Sequence, residues 1–201
     1  MLSLRKPTDA AVVRYLIESQ HKSFTYEQPG MTRDGTYPGS FDIDQERTLL
    51  GTGVAVFEQA KEALCRWQMF PRSLAKLYWP DRRIEPGITV AVRFRVGPLW
   101  SLNPCRIVYT IDEPVRGNGL VRFGFAYGTL ADHLECGEEQ FLVTWNPRDD
   151  RVYYELLAIS QPHHLLTRLG YRVVRREQAK FRRLSGLSMQ QAVRCPREVA
   201  C

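Results

Sequence analysis

Two periods of hydrophobicity divide this chain. From Ile88 to Ser160, apolar and polar residues alternate at every second position in five segments: ITVAVRFRV, CRIVYTID, LVRFGFAYG, EQFLVTW and VYYELLAIS. That period, with its Val, Ile, Tyr, Phe and Thr content, predicts strands. Breakers separate them: Gly97-Pro98, Pro114 with Gly117-Asn118-Gly119, an acidic cluster near Glu135, and Asn146 to Asp150. Connections this short join antiparallel neighbours, because a parallel crossover needs a dozen or more residues. The predicted unit is an antiparallel meander of about five strands.

Outside that region the period lengthens to three and four. AAVVRYLIESQ, with Thr8 as N-cap and Asp9 in the first turn, predicts a first helix through Val12, Val13, Leu16 and Ile17. FTYEQPGMTRDGTYPGSF carries Pro29, Gly30, Gly35, Pro38 and Gly39, so it is expected to be irregular. DIDQERTLLG alternates Ile43, Gln45, Arg47 and Leu49 against Asp44, Glu46, Thr48 and Leu50, a weak strand pattern. The strongest helix follows Thr52-Gly53, with Val56, Phe57, Ala60, Ala63, Leu64 and Trp67 on one side and Pro71 beyond its end. SLAKLYWP predicts up to two further helical turns before Pro80.

After Pro162, Leu166, Leu169, Val173, Phe181 and Leu184 align as one side of a terminal helix. Run from His163 to Leu184, it would be ~33 Å long. Residues 1–186 are then one domain with an N-terminal helix, and residues 187–201 a flexible tail. A meander followed by one long amphipathic helix predicts an α+β fold, a curved antiparallel sheet gripping the C-terminal helix. A cavity between sheet and helix is the natural place for a ligand.

Composition narrows the classes. With 201 residues, 44% apolar and 25% charged, the chain is an ordinary globular one. No apolar run approaches the ~20 residues of a membrane-spanning helix. The N-terminal residues lack a secretory h-region and cleavage site, so a cytoplasmic protein is expected. Five scattered cysteines without a C-x-x-C pair are expected to be free thiols. The net charge of +6 is concentrated in one segment: Arg168, Arg172, Arg175, Arg176, Lys180, Arg182 and Arg183 against Glu177 alone. Arg168, Arg172, Arg175 and Arg176 are therefore candidate contacts for an anionic surface, RNA phosphates or lipid headgroups.

Candidate chemistry gathers in GFAYGTLADHLECGEEQFLV, Gly124 to Val143, where His133, Glu135, Cys136, Glu138 and Glu139 fall within seven positions. The simplest reading is an acidic turn joining two strands, with one glutamate anchoring a backbone N–H or pairing with a helix arginine. Acid–base catalysis is a second reading: Glu138 or Glu139 as base, with His133 or Tyr127 as donor, tuned by burial. A metal site has less support, since neither H-E-x-x-H nor the deaminase H-x-E…P-C-x-x-C pattern is present. No metal and no cofactor is expected; GTGVAV lacks both the third glycine of a dinucleotide site and the Lys-Ser/Thr of a P-loop.

TYEQPGMTR (Thr25–Arg33), GTGVAVFEQAKEAL (Gly51–Leu64), CRIVYTIDE (Cys105–Glu113), RFGFAYGTLADHLECGEEQF (Arg122–Phe141) and the Ser160-Gln161-Pro162 step resemble the UPF0548 protein family. The resemblance runs from about Pro7 to Arg183, and FAYGTL…H…GEE is its most specific part. Gln161 departs from it, standing where a basic residue is expected before the proline. The resemblance implies a helix-grip fold, like that of START domains and the birch-pollen allergen family, and leaves the activity open. Such domains include lipid carriers, hormone receptors, cyclases and chaperone activators, so fold alone does not settle function. The expected function is non-enzymatic binding of a small apolar or amphipathic molecule, lined by Tyr127, Glu139, Trp145 and Tyr153. The alternatives are an enzyme using the same cavity and an anionic-surface binder.

Overall fold

Alternating side chains give a strand two faces, and here both faces of the sheet find cover. The computed structural model describes residues 2–78, 83–116, 119–164 and 169–195. In chain order the elements are β1 (Leu2–Ser3), α1 (Asp9–Ser19), α2 (Met31–Asp34), β2 (Asp42–Thr52), α3 (Val54–Cys65), β3 (Ala75–Tyr78), β4 (Thr89–Val96), β5 (Leu99–Arg116), β6 (Leu120–Thr129), β7 (Glu135–Asn146), β8 (Arg151–Pro162) and α4 (Tyr171–Arg194). Among the described residues the strands form one antiparallel sheet in the order β2-β8-β7-β6-β5-β4-β3, with β1 paired to β5. The sheet curves around α4 with α3 beside it, the predicted α+β helix-grip arrangement.

The main core lies on the inner face. Phe125, Tyr127, Phe141, Val143, Tyr154 and Leu156 from the sheet meet Phe57, Ala60 and Leu64 of α3 and Phe181, Met189 and Val193 of α4. Fully burying such side chains stabilises the fold by about 1.5–3 kcal/mol each. Helix α4 approaches β2 closely at Gly186, where a Cβ would overlap Thr48 Oγ1. There Ser185 and Tyr154 share a buried hydrogen bond of 2.7 Å. A smaller core forms on the outer face, where Val12, Tyr15 and Leu16 of α1 pack on Ala91 and Leu102. Thr8 caps α1, its Oγ1 accepting from Ala11 N at 3.2 Å.

The expectations for SLAKLYWP and for the terminal helix are corrected. Ala75–Tyr78 is a strand rather than a helix, because it adds to the open edge of β4. In β2 the exposed residues include Ile43 (50%) and Leu49 (47%), while Asp44 is buried. The polar position turns inward because Asp44 finds cationic partners on α4. Finally, α4 starts at Tyr171 and continues through Arg194, 24 residues, or about 36 Å. Its later turns bury Met189 and Val193, so residues 187–194 are part of the domain rather than a tail. Leu169 and Val173, expected on the buried side, are 78% and 51% exposed. Leu166, Arg168 and residues 196–201 lie outside the described residues.

Candidate functional site

Glu138 and Glu139 are adjacent on β7, so they point to opposite sides of the sheet. Glu138 faces outward, is 2% exposed, and meets the irregular segment that precedes β2. Its Oε2 accepts from Gly30 N at 2.7 Å and from the Tyr26 hydroxyl at 2.8 Å. Its Oε1 accepts from Thr32 N at 3.0 Å and from the Thr32 hydroxyl. Tyr109 in turn donates to Thr32 Oγ1 at 2.7 Å and accepts from Gln140 Nε2 at 2.8 Å. Tyr26 reaches the carboxylate by crossing directly over Gly128, where a Cβ would overlap its hydroxyl. Four donors on one buried carboxylate make a clamp that holds residues 26–32 to the sheet. The TYEQPGMTR and FAYG…GEE phrases thus meet in one network.

Glu139 faces inward. Its Oε2 accepts from the Tyr127 hydroxyl at 2.6 Å, and both residues line a cavity of about 210 Å³ between the sheet and the first half of α4. Leu74, Phe94, Ala158, Val174 and Phe181 supply its apolar wall. Phe94 and Phe181 meet edge to face, 5.9 Å between ring centroids. Burial raises the Glu139 pKa from the ordinary 4.5 to about 7; Asp44 adds to the rise, and the Tyr127 hydroxyl and Arg182 oppose it. Burial also pushes the Tyr127 phenol well above its usual range.

His133 and Glu135 line the same cavity near the β6–β7 turn. His133 Nδ1 lies 2.9 Å from both the amide nitrogen and the carbonyl oxygen of Glu135, so the main chain fixes the ring. Burial lowers its pKa from 6.5 to about 3, leaving the imidazole neutral. Glu135 is raised from 4.5 to about 7, by burial first and Asp42 second, against the pull of Arg175. Its Oε1 is buried without a hydrogen-bond partner. Among the described residues no group of three or more His, Cys, Asp or Glu side chains is placed to hold a metal ion.

Comparison with known proteins adds the family. The Domain of unknown function (DUF1990) family matches residues 25–188. A UPF0548 protein of Dictyostelium discoideum is 35% identical over 196 residues, covering 90% of each chain. A UPF0548 protein of Deinococcus radiodurans is 33% identical over 172 residues, covering 80% of this chain and 83% of its own. The chain belongs to the UPF0548 family. Among solved structures, human STARD10 superposes with a TM-score of 0.51 at 12% identity, covering 96% of this chain and 82% of that one. At that identity the likeness concerns the fold alone.

In this UPF0548 protein Trp145 and Tyr153 are not among the residues lining the cavity. Trp145 packs on Phe57, 6.2 Å between centroids, and its Nε1 donates to Asp150 at 3.0 Å, at the β7–β8 turn end of the sheet. Tyr153 neighbours the core residue Tyr154, so it faces the other side, where Arg47 stacks on its ring at 3.8 Å. The arginines divide as well. Arg175 Nη2 donates to Asp44 Oδ1 at 2.8 Å, its Nη1 also binds Asp44, and Arg182 Nη1 lies 3.0 Å from Asp44 Oδ2. Arg172, Arg176, Lys180 and Arg183 remain exposed at helical spacing on the outward face. Among the described residues no helix is long and apolar enough to cross a membrane. Asp44 and Arg182 carried no sequence signal as cavity residues, since their pairing spans more than a hundred positions. The opposite facing of Glu138 and Glu139, by contrast, follows from strand alternation.

Proposed function

We propose that this chain holds a small amphipathic molecule in the cavity between sheet and α4. The observation that carries this reading is the composition of the cavity: an apolar wall of Leu74, Phe94, Val174 and Phe181, with Glu139 and Tyr127 as convergent polar groups. Small-molecule sites are built this way, mostly apolar with a few placed polar groups. A volume of about 210 Å³ suits a small molecule with a short apolar body. Native mass spectrometry of the protein from its own host, followed by denaturing release, tests it. A stoichiometric compound that disappears in Ala158→Trp supports the cavity as its site. A compound that survives this substitution, or an empty protein, counts against a resident ligand there.

One observation favours a second reading, in which the cavity is an active site. The Glu139 pKa near 7 and its 2.6 Å bond to Tyr127 match a general base poised at physiological pH, with a phenol as its partner. Glu139→Gln separates the two: a carrier keeps an affinity for uncharged ligands, whereas an enzyme loses turnover.

A further inference from the structure

We infer that the cavity selects a cationic amphiphile: an amine whose ammonium group sits on the Glu139 carboxylate while its apolar body lies against Phe94, Val174 and Phe181. The inference rests on the reading of the cavity as a ligand site and names the ligand's chemical class. It follows from which charges in the cavity already have partners.

The cations are committed. Arg182 and Arg175, which α4 directs inward, both bind Asp44, which is itself buried. Arg95 donates through Nε to Gly97 O at 3.1 Å and stacks on Trp100, with its side chain exposed at the rim. His133 is held neutral by its burial. Arg175 also lies 3.9 Å from Asp42 Oδ2, so two carboxylates face the two arginines. A carboxylate or phosphate headgroup entering beside Glu139 therefore meets no inward-facing cation without a carboxylate partner.

Two of the carboxylates lining the cavity are not committed. Among the described residues neither Glu135 nor Glu139 forms an ion pair. Glu139 accepts only the Tyr127 hydroxyl, and Glu135 Oε1 is buried with no partner. An ammonium group would supply the missing donors and charge together, and hydrogen bonds to ionised groups are the stronger ones. The rings of Tyr127, Phe94 and Phe181 line the same space, and aromatic side chains are good neighbours for a cation. An anionic headgroup would instead stand beside two like charges, which disfavours it.

The test uses three probes of one chain length, n-octylamine, 1-octanol and octanoate, titrated calorimetrically into the full chain at pH 8. Octylamine is expected to bind tighter than octanol by on the order of tenfold or more, the worth of one charged hydrogen bond. Octanoate is expected to bind more weakly than octanol. Glu139→Gln keeps the shape of the side chain and should abolish the amine preference while retaining octanol binding. Octanoate binding as tightly as octylamine overturns the amine assignment and leaves the cavity reading intact. A preference that survives Glu139→Gln but is lost in Glu135→Gln overturns Glu139 as the anchor. If wild-type protein binds none of the three, both the assignment and the cavity reading fall.

Discussion

Replacing Glu139 by glutamine should change how stability depends on pH. Five titratable or charged groups act on or respond to this carboxyl: Tyr127, Cys105, Tyr154, Asp44 and Arg182, from β6, β5, β8, β2 and α4. Burial dominates and raises its pKa from 4.5 to about 7. Below pH 4.5 the group is protonated whether the chain is folded or not, and nothing is lost. Between pH 4.5 and 7 the unfolded chain ionises while the folded one keeps its proton, so stability falls as pH rises, by about 1.4 kcal/mol per unit. Above pH 7 both forms ionise and the loss levels off near 3 kcal/mol. Glutamine cannot ionise and preserves an acceptor for Tyr127. The difference in unfolding free energy, variant minus wild type, should therefore grow by about 2.5 kcal/mol between pH 5 and pH 8. Urea denaturation of both proteins across that range reads the slope directly, and a constant offset from altered packing does not disturb it. A difference flat to within about 0.5 kcal/mol would refute the claim that Glu139 is desolvated in the cavity and without a cation of its own.

Other substitutions probe the supports of the site. Glu138→Ala leaves the Gly30 and Thr32 amides without their acceptor; we expect a loss of about 3–5 kcal/mol by denaturation and faster hydrogen exchange at those two amides. Gly128→Ala should displace Tyr26 and lower stability by about 1–3 kcal/mol, with octanol affinity little changed because the clamp lies on the other side of the sheet. Asp44→Asn strands Arg182 in a half-buried place, for an expected loss of about 3 kcal/mol and, by leaving positive charge facing the cavity, a reversal of the amine-over-octanoate preference in calorimetry. Tyr153→Ala, on the opposite side from the cavity, should leave all three probe affinities unchanged.

Much of the fold is legible because it rests on local periodicity. The five segments of the meander, α1 with its Thr8 cap, and α3 all follow patterns that each segment carries within itself. Where local pattern and tertiary partner disagree, the partner prevails. Ala75–Tyr78 is short enough to be either helix or strand, and the free edge of β4 decides. In β2 the apolar Ile43 and Leu49 are exposed while Asp44 takes the inside, because two arginines from α4 meet it there. The helix itself runs on past Leu184 because Met189 and Val193 find the inner face of the sheet, although a polar-rich segment gives little local reason to continue.

The candidate site divides the same way. Alternation alone separates Glu138 from Glu139, because adjacent strand residues cannot share a side. Which of them would be a structural clamp and which a cavity group depends on what covers each side. The segment Tyr26–Thr32 caps one face and α4 roofs the other, and both come from far along the chain. The alternating strands and the flanking helices α1 and α3 could be read from the chain because they depend on spacing between near neighbours, and the family could be read from its motifs. That one glutamate is saturated with donors and the next left with a single phenol could be seen only in the folded chain, because Glu138 meets Tyr26 and Thr32 from more than a hundred residues away while Glu139 faces the space under α4.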